Sequence, residues 1–172
     1  MRLWCGSDWL WLMDDDAEPR EDCLKKLMAV REVIKNPVAV LTPIKIDPQG
    51  NIQTVHRGYI RKDRWETLRL TEEEYRDGRS VIKIDYSSFV GPLIKKTAIS
   101  LAGFPDKDFF IWSDDVEYCC RLSQYGGVYL VKDAIIVHKD AKLENRIGEK
   151  STDLWKWYYY GRRNRLFLYS LC

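Results

Sequence analysis

Histidine is scarce in this sequence, and cysteine is poorly spaced for chemistry. The 172 residues hold two histidines, His56 and His138, and five cysteines with no C-x-x-C pair among them. That excludes a cysteine-built zinc site or a dithiol redox centre, and the odd thiol count reads as a reduced, cytoplasmic setting. An excess of one charge is missing too. Lys and Arg number 28 against 26 Asp and Glu, a formal net charge of +2, which gives no electrostatic footprint for nucleic acid. No apolar run approaches the roughly 18 residues of a membrane-spanning helix. No glycine-rich phosphate loop occurs, and the opening MRLWCGSDW lacks the basic-then-apolar order of a signal peptide.

What is there is an ordinary globular composition, 45% hydrophobic and 31% charged, in a chain long enough for one domain, 1–172, with a real core. DWLWLM reads as a short buried strand with three acids at its carboxyl end, and Pro19 suits the first turn of a following helix that stops at Asn36 and Pro37. VAVLTPIKI (38–46) reads as a second buried strand, DPQGN as a turn, and IQTVHRGYIRK as an exposed alternating strand. TEEEYRDGRS reads as a short helix or loop. VIKIDYSSFVGPLIKK (81–96) is strand material broken at Gly91 and Pro92, and a helix from about Lys96 to Ala102 should end at Gly103. Ser113 is expected to cap a helix with Asp114 and Asp115 in its first turn, ended by Gly126 and Gly127. VYLVKDAIIVHK reads as a strand with His138 at its end, and DLWKWYYYGRRNRLFLYSLC is expected to form a helix. Alternating strands and helices indicate an α/β layered sheet with flanking helices.

Two acidic groups stand out. Asp14, Asp15 and Asp16 follow a strand end, where ligands of open α/β folds bind, and clustered carboxylates suit a hard divalent cation. An acidic loop before a helix explains them equally well. The D-x-D of haloacid dehalogenase-like phosphatases is disfavoured, because Ala17 and Glu18 stand where that motif needs Thr or Val. Asp114 and Asp115 suit a helix start, but the aromatics of FFIWSDD could raise a carboxyl toward a general base's working range. His138 and His56 taken singly read as structural, and the cysteines as small buried hydrophobes.

The order of these pieces adds more than any one of them. WLWLMDDDAEP, then FVGPLIKKTAISLAGFPDKDFFIWSDDVEYCCRL, then AIIVHK and WYYYGRRNRL resemble the family 2 glycosyltransferases of the GT-A fold. The likeness is to the branch containing rhamnosyl- and galactofuranosyltransferases. The resemblance implies a partial GT-A-like sheet and Mn²⁺ or Mg²⁺ on Asp16 and Asp14, completed by His138. Asp14 and Asp15 would also lie toward the nucleotide, and Asp115, with Asp114, would be the catalytic base. Arg163 and Asn164 would lie near the donor phosphates, and Trp112 would form an acceptor wall or pack in the core.

The implied reaction is inverting transfer from a nucleotide-diphosphate sugar of UDP or dTDP type to a glycan or lipid-linked acceptor. The alternative is a non-catalytic carbohydrate- or metal-binding remnant. Family members place a nucleotide-binding half before the acid triplet, and here thirteen residues precede Asp14. A truncated domain is therefore expected, with a sheet edge open to self-association. The aromatic and basic residues after position 150 read first as a core-facing terminal helix, with peripheral contact at the inner membrane face as the alternative.

Overall fold

The computed structural model describes residues 6–55, 57–61, 66–109 and 113–139. Its centre is the strand the sequence marks most plainly. β3 (Val38–Ile46) is buried at all nine positions, as an apolar run must be when both faces of a sheet are covered. On one side it pairs antiparallel with β8 (Leu93–Lys95), which in turn pairs antiparallel with β1 (Trp9–Trp11). On the other side it runs parallel to β9 (Gly127–His138). β9 is flanked over its first half by β6 (Val81–Ile84) and at its far end by β2 (Ala17–Pro19), both antiparallel.

The β3–β9 register shifts between Pro43 and Ile44, opposite Val131 and Ile135. Proline has no N–H to give to a ladder, and an irregularity at that point lets it stay inside the sheet. A second, three-stranded antiparallel sheet holds β5 (Glu66–Arg69), β4 (Arg57–Arg61) and β7 (Tyr86–Ser87).

Helices cover the central sheet. α1 (Cys23–Ala29) buries Cys23 and Leu27 with Val38, Leu41, Tyr129 and Val131. A larger core joins Val40, Ile44, Ile46 and Leu130 to Ile99 of α3 (Lys96–Ala102) and to Val116, Cys119 and Leu122 of α4 (Asp114–Ser123). Each such aliphatic side chain contributes roughly 1.5–3 kcal/mol on burial. α2 (Glu72–Arg76) starts at Thr71, whose hydroxyl accepts from the Glu74 amide while the Glu74 carboxylate accepts from the Thr71 amide.

The α/β layered sheet is as expected, and so are β3, β9 and α3, with Gly103 closing α3 at φ 79°. Four expectations are corrected. Pro19 does not open a helix; it ends β2 opposite Ile136. β1 is only half-buried because it lies at the sheet edge. The strand expected to be exposed begins with Arg57, which is fully buried. Gly126 and Gly127 do not end α4, which stops at Ser123; Gly127 instead begins β9. The carboxyl-terminal helix expectation lies outside the described residues.

Candidate metal centre and catalytic carboxylates

The acid triplet is shaped by what lies on either side of it. β1 is locked to the 91–92 loop: the Leu12 amide donates to Pro92 O (3.0 Å), the Gly91 amide to Leu12 O (3.1 Å), and Trp11 Nε1 to Gly91 O (2.8 Å). The chain then turns, with the Ala17 amide donating to Asp14 O at 3.2 Å, and enters β2. The β2–β9 register sets Ala17 opposite His138, and the Lys139 amide donates to Asp16 O at 2.9 Å. Strand pairing thus delivers Asp16 to the histidine.

As a result Asp16 Oδ1 lies 3.3 Å from His138 Nε2, and one ligand atom each from Asp14, Asp16 and His138 fall within 4.8 Å of one another. His138 is buried, Asp16 half-buried and Asp14 exposed. The other imidazole nitrogen, Nδ1, lies 3.2 Å from Gln53 Oε1. Partial desolvation by the surrounding turn and the neighbouring Asp16 raise the Asp14 carboxyl above the usual carboxylate range, against the pull of His138 and Lys45. Crowded acids that gain from a nearby cation, joined by an imidazole, form a donor set that Mn²⁺ or Mg²⁺ fits, Mn²⁺ better because it accepts nitrogen readily. Asp15 is exposed on the same turn and outside this cluster.

The second acidic pair is built differently. Asp114 and Asp115 occupy the first turn of α4, but Ser113 does not cap it: Ser113 sits in the left-handed region at φ 66° and makes no capping bond. Such a conformation is uncommon for a residue with a β-carbon and marks local strain. Asp115 Oδ1 accepts from the Val116 amide at 2.8 Å. Burial, reinforced by the charge of Asp114, pushes the Asp115 carboxyl up to about 7. That is where a general base working near neutrality needs to be.

α4 is held in place from two directions. Cys119 Sγ sits 3.4 Å from both the Ser87 amide and Ser87 O. Burial pushes its thiol up to about 12, so Cys119 packs rather than reacts. Arg121 pairs with the buried Glu117 (Nη2 to Oε2, 2.8 Å) and donates to Ala102 O (2.6 Å) and Phe104 O (3.1 Å), tying α4 to the end of α3.

No family model matches the chain. Galactofuranosyltransferase GlfT1 of Mycobacterium tuberculosis (strain ATCC 25618 / H37Rv) is 32% identical over 125 residues, 70% of this chain and 39% of that protein. The dTDP-rhamnosyl transferase RfbF of Shigella flexneri is 24% identical over 155 residues, 87% of this chain and 46% of that protein. The crystal structure of GalNAc-T7 with UDP, GalNAc and Mn²⁺ superposes with a TM-score of 0.54 at 17% identity, over 91% of this chain and 34% of that one. By sequence the chain is related to these galactofuranosyl- and rhamnosyltransferases over 70% to 87% of its length. Its fold is GT-A, and it spans 39% to 46% of the length of these curated relatives.

Within this chain, ligand atoms of Asp14, Asp16 and His138 come together, as the family resemblance implied, and Asp114 and Asp115 share one helix start. Trp112, Arg163 and Asn164 lie outside the described residues, as does His56. Three buried polar residues beside the site carried no local signal. Lys45, on β3, is 3% exposed, and its charge acts on both Asp14 and Asp115, so one buried cation serves both acidic groups. Gln53, also 3% exposed, reaches His138. Arg57, wholly buried, donates to Thr42 Oγ1 (3.2 Å) and to Val90 O (2.9 Å), fixing the loop against which β1 is locked.

Proposed function

We propose that this chain carries the metal-binding and base-supplying part of a glycosyltransferase. The reaction moves a sugar from a nucleotide-diphosphate donor, of UDP or dTDP type, to a glycan or lipid-linked acceptor, with residues 1–172 acting as one domain. The observation that carries this reading is the convergence of Asp14, Asp16 and His138 ligand atoms within 4.8 Å at the ends of β1 and β9. It is supported by relatives named as galactofuranosyl- and rhamnosyltransferases and by a fold shared with a protein crystallised with UDP and Mn²⁺.

In this reading Asp14, Asp16 and His138 hold Mn²⁺ or Mg²⁺, which when bound supplies positive charge for the departing diphosphate. Asp115 takes the proton from the acceptor hydroxyl, with Asp114 keeping its affinity for that proton high. The freed oxygen attacks the anomeric carbon from the face opposite the diphosphate. The bond to the diphosphate breaks as the new glycosidic bond forms, and a single displacement inverts the configuration. The oxocarbenium character of such a transition state asks for a positioned base and exclusion of water. Asp15, Arg163 and Asn164 would lie toward the donor and Trp112 toward the acceptor.

No helix among the described residues is long and apolar enough to cross a membrane. A cytoplasmic location with peripheral contact at the inner membrane face belongs to the same proposal, since lipid-linked acceptors lie there. The outer edge of β1 has no partner among the described residues; a strand added there, from a second copy or another segment, would extend the sheet.

The deciding experiment is calorimetric titration with UDP and with dTDP, each with and without Mn²⁺, followed by turnover with candidate donors. Metal-dependent nucleotide binding is expected. Metal binding with no nucleotide binding would favour the non-catalytic remnant, and absence of both would overturn the reading.

A further inference from the structure

Among the described residues the imidazole of His138 meets a polar atom at each ring nitrogen, one from the acidic turn and one from outside it. Nε2 faces Asp16 at 3.3 Å, whereas Nδ1 lies 3.2 Å from Gln53 Oε1. Gln53 arrives there by a rigid route. Asp47 Oδ1 accepts from the Gln49 amide (2.9 Å) and the Asn51 amide (2.8 Å), and Asp47 Oδ2 from Asn51 Nδ2 (2.9 Å), closing a tight turn. The chain then doubles back along the end of β3, with Ile52 bridged to Ile46 and the Gln53 amide donating to Lys45 O at 2.9 Å. A neutral amide, 3% exposed, is thereby set against a buried histidine, 9% exposed.

A neutral imidazole presents a lone pair at one nitrogen and a proton at the other, and the partner of the protonated nitrogen decides which is which. To ligate through Nε2, His138 must carry its proton on Nδ1, where an amide oxygen can accept it. A carboxylate in that place would add a further negative charge beside Asp14 and Asp16; glutamine supplies the acceptor without it. We propose that Gln53 is the positioning residue of the metal centre, holding His138 in its Nδ1–H form with the Nε2 lone pair turned toward Asp14 and Asp16. This inference rests on the metal-site reading above. Partners that fix a ligand histidine in this way are commonly worth 10- to 100-fold in metal affinity.

The test is Mn²⁺ affinity, read from the electron paramagnetic resonance signal of free Mn²⁺, for the wild type, Asp16→Ala, Gln53→Leu and Gln53→Glu. Gln53→Leu should bind Mn²⁺ about 10- to 100-fold more weakly, whereas Gln53→Glu, which keeps an acceptor at the same place, should stay within a few-fold of wild type or bind more tightly. Equal affinity in Gln53→Leu and wild type, with Asp16→Ala impaired, would overturn the role of Gln53 alone. Equal affinity in wild type and Asp16→Ala would overturn the metal site, and this inference with it.

A second readout needs no metal. The ¹⁵N shifts of His138 in the metal-free protein, at a pH where the ring is neutral, should report a proton on Nδ1 in wild type and on Nε2, donated to Asp16, in Gln53→Leu. A wild-type proton on Nε2 would overturn the assignment. Should Gln53→Leu fail to fold, the wild-type tautomer and the Gln53→Glu affinity still decide the question.

Discussion

The two acidic groups of this chain use the same residue type in opposite settings. Asp14 and Asp16 lie on a turn between two strands, open enough for an ion to enter, and beside them stand a histidine and the charge of Lys45. Asp115 lies in the first turn of a helix in denser surroundings, where burial and a like-charged neighbour outweigh the weaker pull of Lys45. On the proposed function one setting would take an external cation and the other a proton. Environment rather than residue type divides the labour, as it does wherever two carboxylates in one site take different roles.

That contrast can be broken experimentally. On the proposed function the largest expected effect is from Asp115→Asn: transfer should fall on the order of 10²- to 10⁴-fold with Mn²⁺ affinity unchanged, as measured by turnover alongside metal titration. Retained turnover would remove Asp115 from the base role. Asp16→Ala should do the reverse, lowering Mn²⁺ affinity at least as much as loss of an outer-shell partner does, about 10- to 100-fold or more, while leaving the stability profile governed by Asp115 in place.

A third measurement uses pH. Between the ordinary carboxylate value of 3.8 and about 7 the native Asp115 holds a proton that the unfolded chain has released. Its contribution is therefore fully present below about pH 4 and is lost as pH rises toward 7. Urea unfolding at pH 5 and pH 8 should show Asp115→Asn losing less stability than wild type over that interval. The difference should be about 1–2 kcal/mol, discounted for the partial exposure of the residue. The smallest effect is from Ser113→Gly, which removes the left-handed strain before the helix and should raise stability by up to about 1 kcal/mol, detectable as a small rise in Tm.

The sequence made the two acidic groups visible because each adjoins a strand or helix signal and the two stand in a recognisable order with the AIIVHK segment; Glu72, Glu73 and Glu74 are equally consecutive but carry no such context. β3 and β9 were legible because long apolar runs bounded by turns admit few readings. β2 was hidden because three residues, Ala17, Glu18 and Pro19, carry no periodicity, and their strand character comes entirely from pairing with Ile136–His138. Arg57 was hidden because alternation places a charged residue on the solvent side unless something internal accepts its donors; here Thr42 and Val90 do so. Ser113 has a capping residue's chemistry, but its backbone takes a conformation in which the cap bond is not made. Lys45 and Gln53 are ordinary polar residues until the strand ends that surround them are assembled.

The pairing of Ala17 with His138 also has a consequence in time. The two residues are more than a hundred positions apart, and such distant contacts form only after the intervening chain has been made and folded. During synthesis, Asp14 and Asp16 emerge early while their imidazole partner is still to be translated. A nascent chain therefore carries two thirds of the cluster without its nitrogen ligand. On the proposed function the ligand set is complete only once β9 has paired with β2, so an ion could be held by all three residues only after this part of the sheet is assembled.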